Sequence, residues 1–344
     1  MAELQAVSQD QRDLLLSLHR QAVDIPGAYY TMLLSRAINE RMWVLSRQGL
    51  VNFIITGEGH EAAQVASTLN LTRGIDWLVP YYRDIASVLV MGITPLDIML
   101  AVFARAADPS SGGRQMPCHF SSRRLHILSG SSPVGTQIPH AVGIAYAAKF
   151  RRERSVALVG FGDGATSRGD FHEGLNFAGV HHLPVVFLCQ NNSISISVPH
   201  DKQVAGGDIA ARAKGYGFPG VAVDGTDFLA MYQTTKEAVE RARAGEGPTL
   251  IEAQVYRFKP HSSNDDDSVY RPKMDSKEQM EHDPILKLER LLEEAQLLTP
   301  ERIAQLRGQA VSEAEKATRE AQESPLPKGE DALTSVYGEE HHAS

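Results

Sequence analysis

The stretch Ser155–Ala165, SVALVGFGDGA, decides the fold. An apolar, β-rich run enters glycines at 160, 162 and 164, and a helical pattern follows over Asp170–Gly179. A strand that ends on glycines ahead of a helix opens a βα unit. A second buried run, Leu183–Cys189 (LPVVFLC), ends in Gln190-Asn191-Asn192. Val221–Val223 and Thr249–Ala253 supply further strands, separated by a helical pattern over Phe228–Ala244. Ile75–Pro80 reads as a short strand leading into Tyr81-Tyr82-Arg83-Asp84. Apolar strands alternating with helices predict an α/β fold, a mainly parallel sheet covered by helices on both faces.

Outward from that centre, the first dozen residues read as a loose polar arm. Helical periodicity begins at Leu14, Leu15 and Leu18 and resumes at Tyr30, Leu33, Leu34, Ala37 and Ile38. Further helices are expected over Glu61–Leu69, Ile85–Met91 and Thr136–Phe150. Residues 108–135, dense in Ser, Gly and Pro, read as a long ordered loop, a feature that is often functional. After Tyr256 comes a polar loop, Lys259–Met274, containing Asp265-Asp266-Asp267. Amphipathic helices are expected around Ile285–Leu292 and after Thr299-Pro300, with an extended tail over the last twenty residues. Lys287, Glu289, Arg290 and Glu293 read as one exposed helix face. The resulting division is an arm and helix over 1–28, a main domain over 29–275, and C-terminal helices and tail over 276–344.

Composition narrows the classes. The 344 residues carry 34 Lys+Arg against 42 Asp+Glu, a formal net charge of −8, and no long basic run, which disfavours nucleic acid as a partner. Apolar stretches such as Ile93–Ala107 are interrupted by charge, so no membrane span is expected. The N-terminal sequence carries acids and no apolar signal core, and Cys118 and Cys189 cannot form a disulfide framework or fill a zinc site. A cytoplasmic protein is expected.

Gly160-Phe161-Gly162-Asp163-Gly164-Ala165 fits the dinucleotide fingerprint G-x-G-x-x-A read literally. Two features oppose an NAD-binding oxidoreductase. Asp163 would face a pyrophosphate with no cation between them, and the next strand ends in Gln190-Asn191-Asn192 instead of a ribose-binding acid. The alternative uses both features. Successive parallel strands end on one sheet edge, so Asp163 and Asn192 can lie side by side as hard oxygen ligands for Mg²⁺. The ion would let a diphosphate sit beside a carboxylate, with backbone amides near Ala165 adding donors.

Gly162-Asp163-Gly164, a spacing of 26 residues (165–190), and Asn191-Asn192 together resemble the thiamine-diphosphate motif. The wider sequence, from about Tyr29 to Tyr270, resembles the alpha subunit of the decarboxylating component of 2-oxo acid dehydrogenase complexes. The likeness is carried by Tyr81–Asp84, Gly113–Pro117, Ser131–Pro133, Thr136–Pro139, GDGATSRGDFHEGLNFA and His261-Ser262-Ser263 with the acids that follow. It implies that residues 29–275 form a thiamine-diphosphate and Mg²⁺ domain. Tyr82, Arg83, Ser132, Val134, Gly162, Asp163, Gly164, Ala165, Gln190, Asn192 and His261 would contact the cofactor, His261 also as the catalytic residue. Asp163, Asn192 and the backbone carbonyl of Ile194 would ligate Mg²⁺. Ser131, Pro133, Thr136 and Gln137 match a potassium loop, which could also be ordered without an ion. Phe53, Tyr82, Met116 and Ser132 would contact the substrate. Two positions depart from the pattern: Gln190 stands where several relatives carry arginine, and Ile194 where many carry tyrosine. His119, His126 and His172 are expected to be hydrogen-bonded structural histidines, and Ser262 loop scaffolding.

The resemblance implies decarboxylation of a small 2-oxo acid and reductive acylation of a lipoyl group on an acyltransferase component. The glutamate that activates the cofactor belongs to a beta subunit in this family, so an assembly of two alpha and two beta chains is expected. The loop YRFKPHSSNDDDSVY resembles that of branched-chain enzymes, whereas pyruvate-specific relatives more often read GHSMSD and acetoin-cleaving ones GHSKSD. Branched-chain acids are therefore expected, with pyruvate or acetoin dehydrogenase, a noncatalytic scaffold and the NAD enzyme as alternatives.

Overall fold

A computed structural model describes residues 7–272 and 275–333. Its strands are β1 (Trp77–Val79), β2 (Ala157–Gly162), β3 (Val185–Asn191), β4 (Ile194–Ser195), β5 (Val198–Pro199), β6 (Gly220–Asp224) and β7 (Thr249–Gln254). The main sheet runs β1-β2-β3-β7-β6 with every pair parallel, and β4 and β5 form a small antiparallel hairpin. The helices are α1 (Gln9–Arg20), α2 (Ile25–Arg47), α3 (Glu61–Thr68), α4 (Ile85–Met91), α5 (Pro95–Val102), α6 (Gln137–Arg151) and α7 (Gly169–Val180). They continue with α8 (His200–Gln203), α9 (Phe228–Arg243), α10 (Ser276–His282), α11 (Pro284–Glu294) and α12 (Pro300–Glu323).

Successive side chains of a strand point to opposite faces, and here they feed two cores. Val159, Phe161, Val185 and Phe187 pack with Ile138, Ala145, Phe171 and Leu175 of α6 and α7. Leu158, Val186, Leu188 and Ile251 pack on the other face with α2, α3, α4 and α9. Each fully buried phenylalanine, Phe161, Phe171 and Phe187 among them, contributes about 1.5–3 kcal/mol. The expected two-sided parallel sheet is present, except at β6. That strand is an edge, and Val221 is 39% exposed.

The polar arm is shorter than the sequence suggested. Ser8 and Gln11 form a reciprocal capping box that starts α1 at Gln9, and residues 1–6 lie outside the described residues. The expected tail over the last twenty residues falls partly beyond Leu333 and to that extent also lies outside them. The exposed face expected on α11 is largely engaged. The Glu289 carboxylate accepts from Tyr29 and Arg307, because α12 returns along α2, and Lys287 Nζ donates to Thr226.

Residues 108–135 form the ordered loop expected of them. The Asp108 carboxylate accepts from Ser110 N, Ser111 N and Gly113 N. Ile127 bridges to Leu78 of β1, and His126 stacks on Trp77 at 4.5 Å. The loop therefore runs along the β1 edge of the sheet.

Candidate functional site

The register Gly162↔Gln190 between β2 and β3 sets Asp163 and Asn192 just beyond adjacent strand ends. Both line one cavity of about 520 Å³. Two glycines are required by close approach. A Cβ on Gly160 would stand 2.1 Å from Asp84 Oδ2, and one on Gly164 would stand 2.7 Å from Ser195 Oγ of the β4–β5 hairpin. Asp163 is 2% exposed, and its Oδ2 accepts from Ser195 Oγ at 3.2 Å. Burial raises its pKa above the ordinary value, partly offset by the hydrogen bond from Ser195. Asn192 Oδ1 is buried without a hydrogen-bond partner. An orphaned acceptor costs about 1–3 kcal/mol, and beside a buried carboxylate it suits a hard cation with open positions for phosphate oxygens. The donor set fits Mg²⁺. Among the described residues no group of three or more His, Cys, Asp or Glu stands where it could hold a metal.

Cationic side chains line the same cavity. Arg83, 2% exposed, donates from Nη1 to Thr56 O at 2.8 Å and from Nη2 to His261 Nδ1 and His261 O at 3.0 and 3.1 Å. Its guanidinium carbon lies 5.3 Å from the Tyr82 ring centroid. Arg257, 4% exposed, donates to Ile196 O at 3.3 Å, while its Nε has no partner. Neither arginine is within ion-pair distance of a carboxylate among the described residues. Two buried cations without a counter-ion favour a polyanionic ligand such as a diphosphate.

Arginine only donates, so His261 Nδ1 must be the acceptor and its proton sits on Nε2. The ring thus presents an N–H in the cavity lining. Burial, then Arg83 and Arg257, lower its pKa from 6.5 to about 4. The unfolded chain therefore binds more protons than the folded one between about pH 4 and 6.5, and stability rises with pH across that window. Replacing His261→Gln should shrink the fall in Tm on acidifying from pH 6.5 to 4, as scanned by calorimetry. An equal fall in both proteins would show a histidine that charges freely.

The His261 loop is held on residues 54–58. Ser263 N donates to Ile54 O at 3.0 Å, and Phe258 N donates to Glu58 O at 3.4 Å. Each acid of the Asp265–Asp267 run orders it. Asp265 accepts from His261 N at 2.8 Å, Asp266 caps a short turn at Ser268, and Asp267 pairs with Arg271. Ser262, 7% exposed, is part of this scaffold.

The cavity gathers most of the expected residues. Phe53, Tyr82, Arg83, Met116, Ser131, Ser132 and Val134 line it from the loops, and Gly162, Asp163, Gly164 and Ala165 from the β2 end. Gln137, Asn192, Ile194 and His261 complete it. Pro133 and Thr136 lie in the adjoining turn, where Thr136 N and Ser131 Oγ both donate to Pro133 O at 3.4 Å. Gln137 Nε2 donates to Gly160 O, and its Oε1 is buried without a partner.

Gln190 is placed elsewhere. It is fully buried behind the cavity, where Nε2 donates to Asp84 Oδ1 at 2.6 Å and Oε1 accepts from Gln64 Nε2 at 3.0 Å. The amides near Ala165 belong to a 3₁₀ turn, Asp163–Ser167, because α7 starts only at Gly169. Of the three histidines expected to be hydrogen-bonded and structural, His172 bonds Tyr216, His126 stacks on Trp77 but leaves its buried Nδ1 without a hydrogen-bond partner, and His119 is hydrogen-bonded yet lines the cavity. Arg257, Tyr81 and Arg168 also line it and were not singled out from sequence. Arg257 carried a signal in its place three residues beyond β7, a third strand ending on the same edge.

Residues 29–330 match the family described as the dehydrogenase E1 component. The chain belongs to that family. It is 51% identical over 318 residues to the 2-oxoisovalerate dehydrogenase subunit alpha of Bacillus subtilis, covering 92% of this chain and 96% of the relative. It is 37% identical to the mitochondrial 2-oxoisovalerate dehydrogenase subunit alpha of Homo sapiens, covering 90% and 70%. Similarity also extends to the pyruvate dehydrogenase E1 component subunit alpha of Staphylococcus aureus, at 37% identity covering 84% and 76%. Membership in this family removes the dinucleotide reading of the glycine turn.

Proposed function

We propose that the chain is the alpha subunit of a thiamine-diphosphate-dependent branched-chain 2-oxo acid dehydrogenase. In this reading it acts with a beta chain, as two of each, and passes the acyl group to a lipoyl group on an acyltransferase component. The observation that carries the reading is the unpartnered Asn192 Oδ1 and the buried Asp163 in a cavity also lined by two buried arginines that have no counter-ion among the described residues.

Asp163 and Asn192, with the Ile194 carbonyl, would hold Mg²⁺. Arg83 and Arg257 would neutralise the diphosphate, and the turn after Gly162 would cradle it. Bound there, the cofactor supplies the electron sink for loss of carbon dioxide. Neutral His261 offers its Nε2–H to an oxygen of the cofactor or the acid and holds that proton because Arg83 occupies Nδ1. Phe53, Tyr82 and Met116 form an apolar wall suited to a branched side chain. Asp163 is the sole carboxylate in the described lining, and in this reading the acid that activates the cofactor's pyrimidine is supplied by the beta chain. Two free, buried cysteines agree with a cytoplasmic location, and no helix among the described residues is long and apolar enough to cross a membrane.

Carbon dioxide release tests the proposal. The chain alone should be inactive with cofactor and Mg²⁺. With its beta chain it should turn over 3-methyl-2-oxobutanoate with a kcat/KM about tenfold or more above that for pyruvate, since each methylene in an apolar pocket is worth ~1–3 kcal/mol. Turnover by the chain alone, or a pyruvate preference, would overturn it.

Ser131, Pro133, Thr136 and Gln137 are proposed as a potassium site on the strength of the unpartnered Gln137 Oε1. KCl should then raise the Tm of the complex above that in NaCl at equal ionic strength. Equal Tm values would leave the loop closed by its own hydrogen bonds.

A further inference from the structure

The main chain of the Tyr81–Asp84 turn is held by buried amide side chains that do not line the cavity. Gln64, 1% exposed, lies on α3. Its Nε2 donates to Arg83 O at 2.9 Å and to Gln190 Oε1 at 3.0 Å, and its Oε1 accepts from Ala86 N at 3.1 Å. Arg83 O only accepts and Ala86 N only donates, so these two main-chain groups fix which end of the Gln64 amide is which. The rest of the network inherits that polarity. Gln190 must turn its Oε1 to Gln64, which leaves its Nε2 to donate to Asp84 Oδ1 at 2.6 Å. His60 Nδ1, 3.0 Å from the same Oε1, must carry a proton. Asp84 Oδ2 accepts from Tyr81 N at 3.0 Å and so closes the turn on itself.

Arg83 is therefore held at both ends. Its guanidinium donates to Thr56 O and to His261, while its carbonyl accepts from Gln64 Nε2 and, at 2.8 Å, from Ile85 N. That carbonyl lies so close to Gly57 that a Cβ there would stand 2.4 Å from it. Every residue of α3 is buried, and close-packed interiors yield little, so Gln64 ties the arginine to a firm base. A cation that binds phosphate oxygens gains from being placed beforehand, because ordering a long side chain on binding subtracts from affinity.

We propose that Gln64 is a positioning residue for Arg83, clamping its carbonyl from α3 so that the guanidinium meets the diphosphate in one pre-set place. The inference rests on the thiamine-diphosphate reading of the site. Gln64 touches neither cofactor nor substrate in this account and acts through Arg83. Gln190 belongs to the same network but hydrogen-bonds Gln64, Asp84 and His60 and not Arg83. It supplies the comparison in which the buried network is cut and the clamp is left.

The test uses the assembled alpha–beta complex. It measures the cofactor Kd with Mg²⁺ by calorimetry, the Tm without ligand, and the KM for 3-methyl-2-oxobutanoate at saturating cofactor. Gln64→Met keeps the length of the side chain and removes the donor. It should raise the cofactor Kd about three- to tenfold, the loss of one neutral hydrogen bond, and leave the KM for the acid unchanged. Gln190→Met should lower Tm at least as far, because it too breaks buried hydrogen bonds, yet raise Kd less. In an Arg83→Lys background, where a flexible stem replaces the fixed fork, adding Gln64→Met should weaken binding by a smaller factor than it does in the wild type. Should Gln64→Met fail to assemble, Gln64→Glu carries the same comparisons, since it keeps the acceptor for Ala86 N and puts an oxygen where the nitrogen donated. An unaltered Kd in the Gln64 variant, an equal rise in Gln190→Met, full additivity with Arg83→Lys, or a raised KM for the acid with unaltered Kd would overturn the inference. Absence of cofactor binding by the wild-type complex would instead sink the reading beneath it.

Discussion

Replacing Asp163→Asn is expected to weaken Mg²⁺-dependent binding of thiamine diphosphate by at least about 100-fold, since loss of mere outer-shell partners already costs 10–100-fold in metal affinity. The substitution keeps the shape that packs against Ser195 and removes only the charge. Burial already opposes ionisation of this carboxylate, so the ligand-free chain should be no less stable. Calorimetric titration with and without Mg²⁺, and Tm without ligand, read the two effects separately. A variant that binds the cofactor as tightly as wild type, with the same Mg²⁺ dependence, would show that the ion lies elsewhere. A variant that simply melts would show a structural carboxylate.

The second large effect concerns Arg83→Lys, a change that keeps the charge. The guanidinium reaches Thr56 O, His261 Nδ1 and His261 O at once, joining residues 54–58 to the His261 loop. A single ammonium cannot span all three, and a flexible stem loses the planar geometry suited to phosphate oxygens. Loss of one or two charge-assisted hydrogen bonds at about 1.5–3 kcal/mol each predicts a cofactor Kd raised by between about tenfold and roughly 10⁴-fold. Limited proteolysis should also cut sooner within 257–272, where the loop has lost its anchor. An unchanged Kd together with an unchanged cleavage pattern would show that any buried cation serves in place of Arg83.

The parts of the fold that were legible in the sequence are those where one residue decides locally. Ala157–Val159 and Val185–Cys189 are buried on both faces, so β-rich apolar runs were enough to mark them. Asp163 and Asn192 follow from the same strands, because parallel neighbours end on one edge. Gln190 was within reach of the same logic. It shares the parity of Val186 and Leu188, whose side chains enter the core with α3 and α4, and so it meets Gln64 and Asp84 and not the cavity.

What was not legible depends on distant pairing. Nothing local says that β7 inserts between β3 and β6, yet that order brings Arg257 to the site and leaves β6 as an exposed edge. His119 is similar. Its place in the cavity lining goes with Met116 O, Pro117 O and Ser132 Oγ converging on one ring, a consequence of how a loop without regular structure folds beside β1. The three acids at 265–267 look alike in sequence, and only the structure separates a cap on His261 from a turn cap and an ion pair.

The central claim is that two neighbouring strand ends present oxygens to one divalent ion. A crystal structure of the alpha–beta complex with Mg²⁺ and thiamine diphosphate measures this directly. The account predicts an ion with an Asp163 carboxylate oxygen and Asn192 Oδ1 at about 2.0–2.1 Å, and diphosphate oxygens completing its shell. An ion bound away from both residues, or Asn192 Oδ1 turned to a protein donor while the cofactor is in place, would contradict it.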